Sequence, residues 1–418
     1  MADKSTYQFD TRVIHEGQLP DEWAGATLPP IYQSASHRHD TAEHLSNAFT
    51  GANSDPIYMR LSNPTNQVLE NKIAALEKGA GAVAMASGMA AVANTCMAML
   101  RSGDTFVASN SLFMSTYVLF TNIFKKYGIA PKLADPQDIA ALEGAIDANT
   151  RFIYIETIGN PKMDIPNIGA IAALAHDHGI PLIVDNTMAT PFLCRPLTLG
   201  ADAVIHSTTK YLSGHGAATG GIVIDGGTFS WPEDRFPDFE PFIKRKGKLA
   251  LLDKIWREHH INFGTTQAPF HAYLTMIGMD TLALRMERHM ENAMTVADFL
   301  SRQPEVTCVN YPGMDGHPSH DTAEQQFNGK GFGGMLTFSL DNQTACFNFI
   351  KNLNLIYHLA NLGDCKTLAI HPYSSQYAAF DDETRRSLSI FPEMIRLSVG
   401  IEAADDICAD MRQALNKS

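Results

Sequence analysis

Lys210 closes the run Ser207-Thr208-Thr209-Lys210, and Asp185 closes the apolar run Ile180-Pro-Leu-Ile-Val upstream of it. A lysine amine flanked by hydroxyls can form a Schiff base with an aldehyde cofactor whose phosphate is held by Ser207 and Thr209. A carboxylate from a neighbouring strand can keep a pyridine nitrogen protonated. Together these are the parts that pyridoxal 5'-phosphate requires. Taken singly they have ordinary readings, Asp185 as a helix cap and Lys210 as a solvated cation.

The elements that must position these residues follow from the pattern around them. The apolar runs before Asp185 and over residues 201–206 are short, β-branched and bounded by Gly or Pro, as strands buried on both faces of a parallel sheet are. Ligands of open α/β sheets sit beyond the carboxyl ends of the strands, so Asp185 and residues 207–210 should meet at one crevice. Further strands are expected at 82–86, 105–109 and 152–156. Helices are expected at 65–76, with Asn63 or Thr65 as cap, and at 142–146 and 168–178. That alternation, from about residue 65 to 225, predicts a right-handed, mostly parallel α/β sheet. Gly88, at a strand-to-helix turn and followed by Met89, lets backbone N–H groups approach a phosphate at the positive end of a helix.

Beyond Gly226-Gly227 the composition changes. Residues 231–257 mix Pro, Lys, Asp and aromatics without periodicity and read as an irregular excursion. One amphipathic helix over 273–300 then bridges to a smaller α+β unit, with strands at 334–340, 366–370 and 394–399 and helices at 344–353 and 404–415. Arg396, on a strand between apolar neighbours, must find an anion: either a buried carboxylate of the chain or a ligand. His317 and His320 share a loop without a carboxylate or Cys placed to complete a metal site, so no metal is expected.

The chain has 418 residues, 45% hydrophobic and 18% charged, with a formal net charge of −13. This is enough for two cores. The acidic balance argues against a nucleic-acid or anionic-membrane surface as the main partner. Six scattered cysteines without a C-x-x-C pair read as reduced cytosolic thiols, and charges near the start leave no room for an apolar secretory core. The uncharged run 79–100 has the length to cross a bilayer, but it is rich in Ala, Gly, Ser, Asn and Thr and reads as buried protein. The first sixty residues have no core of their own. Residues 11–18 are expected as a short helix and 28–33 as extended chain.

Six stretches, in order over nearly the whole chain, resemble the Cys/Met-metabolism family of pyridoxal phosphate enzymes: Tyr58-Met-Arg60-Leu-Ser-Asn-Pro-Thr65, Ala86-Ser-Gly88-Met89-Ala-Ala, Glu156-Thr-Ile-Gly-Asn160-Pro161, Val184-Asp185-Asn-Thr187, His206-Ser-Thr-Thr-Lys210 and Ile395-Arg396-Leu-Ser-Val-Gly-Ile-Glu402. The resemblance implies a fold-type I transferase divided into an arm (1–64) crossing to a partner subunit, a cofactor-binding large domain (65–270), and a bridging helix with a C-terminal α+β domain (271–418). It implies that Lys210 carries the cofactor and that Asp185, Ser207, Thr209, Gly88, Met89, Asn160 and Thr187 surround it. Tyr58 and Arg60 would reach a neighbour's site in a cytoplasmic homotetramer, Tyr58 also taking part in proton transfer, while Arg396 and Asn361 would bind substrate. Where the family usually has Tyr-Gly-Gly-Thr this chain has Phe113-Met-Ser-Thr116, which keeps an aromatic face for stacking and loses the phenol.

Within the family the chain is most similar to O-acylhomoserine sulfhydrylases, through Glu156-Thr-Ile-Gly-Asn-Pro-Lys, Thr190-Pro-Phe-Leu-Cys-Arg-Pro-Leu, Leu284-Arg-Met-Glu-Arg-His-Met-Glu-Asn-Ala and Asn361-Leu-Gly-Asp with Ile370-His-Pro. The implied reaction replaces the ester oxygen at Cγ of an activated homoserine with sulfide or a small thiol. The rivals are γ-elimination of methionine or cystathionine, a succinyl rather than acetyl ester, and a silent α/β protein that binds a phosphate ligand.

Overall fold

The computed structural model describes residues 6–17 and 25–418. Its larger sheet has seven strands in the order β1-β7-β6-β5-β4-β2-β3: β1 Gly81–Met85, β2 Thr105–Ser109, β3 Ala130–Ala134, β4 Thr150–Glu156, β5 Leu182–Asp185, β6 Ala203–His206 and β7 Gly221–Asp225. Strands β3, β2, β4, β5 and β6 pair in parallel, whereas β7 runs antiparallel to both β6 and β1. The sheet is therefore mostly parallel, as expected, with β7 as its one reversed strand.

Alternation along each central strand sends side chains to two cores. Ile153, Ile155, Leu182, Val184 and Val204 pack on one face with the helices Pro64–Glu77 and Ile168–Asp177. Phe152, Tyr154, Ile183, Ala203, Ile205 and Val223 pack on the other with the helix Gly88–Met97. Both faces being covered is why these strands read as continuous apolar runs. Leu69, Ile73 and Leu76 are fully buried on the first face, each contributing about 1.5–3 kcal/mol. Asn63 caps their helix by accepting from the N–H groups of Thr65 and Asn66.

The smaller sheet is ordered β10-β11-β12-β9-β8, from β8 Cys308–Asn310, β9 Met335–Ser339, β10 Tyr357–His358, β11 Leu368–Ile370 and β12 Met394–Ser398. It packs on the helices Leu282–Leu300, Gln343–Lys351 and Ala404–Leu415 through Leu336, Phe338, Ile395 and Leu397.

Three expectations need correction. The helix predicted over 273–300 is two, Pro269–Met279 and Leu282–Leu300. At the break the guanidinium of Arg285 donates to Gly278 O at 2.8 Å and to Thr281 Oγ1 at 3.2 Å, and Asp280 pairs with buried Lys72 at 2.8 Å. The first of these contacts satisfies a backbone carbonyl that a continuous helix would bond internally, and the others fix side chains at the break. The stretch 231–257 is not irregular but holds the short helices Glu240–Lys246 and Ala250–Lys254, set on a cluster in which Trp231 stacks on Phe239 at 4.0 Å. Within the arm, the short helix spans Phe9–His15, with Gln18 outside the described residues. A second helix, Ala42–Thr50, capped by Thr41 and ended by Gly51, has no buried residue within this chain and was not expected. The run 79–100 is a strand, a turn and a helix, and no helix among the described residues is long and apolar enough to cross a membrane.

Candidate active site

The carboxyl ends of β4, β5 and β6 deliver Glu156, Asp185 and Ser207 to one edge of the sheet, where the N-terminus of the helix Gly88–Met97 also arrives. A cavity of about 280 Å³ opens there. It is lined by Gly88, Met89, Phe113, Glu156, Asn160, Asp185, Thr187, Ser207, Thr209, Lys210, Asn361 and Arg396, among others. Every expected site residue meets in this cavity except Tyr58 and Arg60. Arg60 instead donates to Ile261 O and lies 5.5 Å over the ring of Tyr58, which is exposed. Within one chain neither lines the cavity that holds Lys210.

Lys210 sits on a single turn that follows β6, held by Ser213 N–H donating to Thr208 O at 3.1 Å and Gly214 N–H to Lys210 O at 2.8 Å. The carbonyls at the end of this turn have no partners in a helix of their own; buried Arg285 donates to Tyr211 O at 2.7 Å and Leu212 O at 3.3 Å. The Lys210 amine donates to Asn361 Oδ1 at 2.6 Å. Burial, and then the positive charge of Arg396, bring its pKa down to about 8.

Asp185 accepts from Thr187 N–H at 3.0 Å and from the Tyr154 hydroxyl at 3.4 Å. Thr187 Oγ1 in turn accepts from Ser207 N–H at 2.8 Å, tying the ends of β5 and β6 together. Burial pushes the Asp185 carboxyl up, against Thr187 and the neighbouring His206, which favour its charge. Glu156 pairs with Asp185 in strand register and accepts from Phe113 N–H at 2.6 Å, fixing where the Phe113 ring enters the cavity. Burial, reinforced by the Asp185 charge, holds Glu156 well above the usual carboxylate range. Glu156 carries the same strand-end signal as Asp185, and sequence reasoning passed over it.

Arg396, on β12, is 2% exposed. It donates to Asn160 Oδ1 and Asn361 O, both at 3.1 Å. Its Nε has no hydrogen-bond partner and no carboxylate pairs with it among the described residues. The buried ion pair considered for it is thus not formed. Burial lowers its pKa to about 10, still a cation at neutral pH. His317 and His320 are engaged within their own loop, by Asn310 Oδ1 at 3.0 Å and Pro312 O at 2.8 Å.

These residues fit pyridoxal phosphate on grounds of their own chemistry. Asp185 is a half-buried, desolvated carboxylate with no cation bonded to it among the described residues, a costly state that a protonated ring nitrogen relieves. At Gly88 a Cβ would stand 2.6 Å from Ser207 Cβ, so only glycine lets the helix end and its free N–H groups come this close to the Ser207 hydroxyl. Thr209 Oγ1 accepts from Gly220 N–H at 3.0 Å on the same rim.

A doubly covered, mostly parallel sheet with a lysine, a carboxylate and a helix N-terminus at one strand edge is the arrangement of a fold-type I pyridoxal phosphate enzyme. The comparisons agree: residues 10–416 match the family described as Cys/Met metabolism PLP-dependent enzyme, and the chain belongs to it. It is 39% identical over 423 residues to O-acetyl-L-homoserine sulfhydrylase 1 of Thermus thermophilus, covering 98% of this chain and 100% of that one. It is also 39% identical over 412 residues to L-methionine gamma-lyase of Pseudomonas putida, covering 98% of each. Among solved structures, a putative O-acetylhomoserine (thiol)-lyase from Campylobacter jejuni containing N'-pyridoxyl-lysine-5'-monophosphate superposes with a TM-score of 0.95. It is 32% identical and covers 98% of this chain and 100% of its own.

Proposed function

We propose that the protein catalyses γ-replacement on an O-acylhomoserine, foremost O-acetylhomoserine, with sulfide or a small thiol, yielding homocysteine or methionine and acetate. The observation that carries this reading is the placing of an amine of pKa about 8, Lys210, and an unpaired buried guanidinium, Arg396, in one cavity that fits pyridoxal phosphate. The names of the relatives supply the substrate class.

In this reading the N–H groups of Gly88 and Met89 and the hydroxyls of Ser207 and Thr209 hold the phosphate. Asp185 holds the ring nitrogen, Phe113 covers a ring face, Thr187 braces Asp185, and Asn160 offers its amide N–H groups to the ring oxygen. Bound pyridoxal phosphate supplies an electron sink for charge developing on the substrate's carbons. Arg396 fixes the substrate carboxylate, its Nε and one Nη forming the fork that a carboxylate accepts. Lys210, partly unprotonated near neutral pH, would take the proton from Cα and, once relieved of it, one from Cβ; acetate leaves Cγ with the C–O electron pair, sulfide forms the Cγ–S bond, and protons return to Cβ and Cα. Tyr58 and Arg60, outside the cavity of their own chain, serve a partner's site, Arg60 at the phosphate and Tyr58 also in proton transfer, within a homotetramer in the cytoplasm. Residues 1–64, 65–270 and 271–418 act as arm, cofactor-binding domain and C-terminal domain.

Elimination from methionine or cystathionine is the second reading, favoured by the equal identity to the Pseudomonas putida enzyme. Phe113 weighs against it, because a thiolate is a poorer leaving group than a carboxylate and gains more from a nearby phenol. Purified protein supplied with O-acetylhomoserine or O-succinylhomoserine should form homocysteine only when sulfide is present, and faster from the acetyl ester. Release of 2-oxobutanoate from methionine at a matching rate, or no turnover of either ester, would overturn the proposal.

A further inference from the structure

The segment carrying Asn361 makes two contacts at once. Its side-chain Oδ1 takes the hydrogen bond of the Lys210 amine at 2.6 Å, and its main-chain carbonyl takes that of Arg396 Nη2 at 3.1 Å. Gly363 N–H donates to Ser398 Oγ at 2.9 Å and Leu362 is buried, so the segment is pinned against β12 independently of either contact. The resemblance implies a substrate-binding role for Asn361; in this structure its side chain meets the lysine.

We propose that Asn361 is a positioning residue for Lys210: whenever the amine is not bonded to a carbonyl carbon, Asn361 Oδ1 holds it at one place over the cavity. This rests on the reading that Lys210 is the reacting amine. A lysine has four freely turning side-chain carbons, and an amine released in each turnover must come back to the same carbon from the same side. An acceptor on a pinned segment provides that return point. It also favours the protonated amine, and so opposes the burial and the Arg396 charge that lower its pKa to about 8. The other groups facing Lys210 across the cavity are Asp185 from β5 and Glu156 from β4.

The division between side chain and main chain makes the proposal separable from substrate capture. Asn361→Ala removes the acceptor and leaves the carbonyl that seats Arg396. In cofactor-free protein, the pH dependence of Lys210 modification by a small amine-reactive reagent, read by mass spectrometry, should give a midpoint near 8 for the wild type. The midpoint should fall by about one pH unit in Asn361→Ala and rise in Asn361→Asp, which offers a carboxylate at the same place. In the cofactor-loaded enzyme Asn361→Ala should lower kcat roughly tenfold or more with KM for the amino acid within about twofold. Unchanged midpoints in both variants, or a loss confined to KM, would overturn the role of Asn361. The reading of Lys210 itself is tested separately, by whether borohydride fixes the cofactor there in the wild type.

Discussion

Glu156 and Asp185 close adjacent parallel strands in register, and both carboxyls, the first buried and the second half-buried, face one cavity. Their surroundings divide their labour. Burial, and then the charge of Asp185, push the Glu156 carboxyl well above the usual carboxylate range, and it accepts from Phe113 N–H. Desolvation pushes the Asp185 carboxyl up as well, but Thr187, His206 and Tyr154 about it favour its charge.

Exchange of each carboxyl for its amide should therefore have unequal effects. Asp185→Asn leaves a ring nitrogen without its counter-charge, and the cofactor should bind at least ~100-fold more weakly. Glu156→Gln keeps an acceptor oxygen for Phe113 at a carboxyl that burial biases toward its neutral form, so affinity should stay within a few-fold. Cofactor titration followed by absorbance measures both. Equal losses would mean that Glu156 is ionised and shares the task.

A second expectation concerns stability. Asp225, at the end of β7, is 3% exposed; Gly227 N–H bonds its Oδ1 at 2.8 Å, and its Oδ2 has no partner among the described residues. Burial, and to a lesser degree the charge of Asp202, raise its pKa to about 7, against about 3.9 in an unfolded chain. The folded state keeps a proton that the unfolded state loses between these values. Stability is thus lost as pH rises from about 4 to 7, and the loss is complete above that. Asp225→Asn should match the wild type near pH 4 and exceed it at pH 8 by on the order of 2–4 kcal/mol. Urea unfolding at several pH values tests this; a constant gap would show that Asp225 stays ionised in the fold.

Phe113 offers a test of substrate choice. Leaving groups of pKa about 8.5 and about 4 differ by up to ~6 kcal/mol in basicity, an upper bound on what a proton donor at this position contributes. Phe113→Tyr should raise 2-oxobutanoate release from methionine and cystathionine and change homocysteine synthesis little. If the thioethers are cleaved no faster, the missing phenol is not what selects the ester.

Because Tyr58 and Arg60 stand apart from the cavity of their own chain, Arg60→Ala and Lys210→Ala variants should complement each other. Mixed in equal amounts under conditions where subunits exchange, they should recover about a quarter of the wild-type activity, half of the dimers being hybrids and each hybrid holding one intact site of two. Exchange without recovery would confine the site to one subunit.

Much of this centre was legible because the residues concerned end buried strands, where an apolar run stops at a polar residue: Asp185 and Ser207 were found in this way, and Glu156 obeys the same rule. Arg396 was legible as a cation needing an anion, though only the structure showed that no carboxylate of the chain answers it. The contact of Asn361 with Lys210 joins residues 151 positions apart and has no local pattern. Likewise the break at Asp280 is invisible to periodicity, since Arg285 and Lys72 stabilise it through contacts across the fold. Strand β3, with Pro131 and Lys132 at the sheet edge, lacks the apolar run that betrays the central strands.

The central claim is that Lys210 holds the cofactor in this cavity. Reducing the cofactor-loaded protein with borohydride, digesting it and sequencing the peptides by mass spectrometry tests that most directly. The pyridoxyl phosphate mass should be found on Lys210 and be lost in Lys210→Ala; the same mass on a different lysine of the wild-type chain would contradict the account.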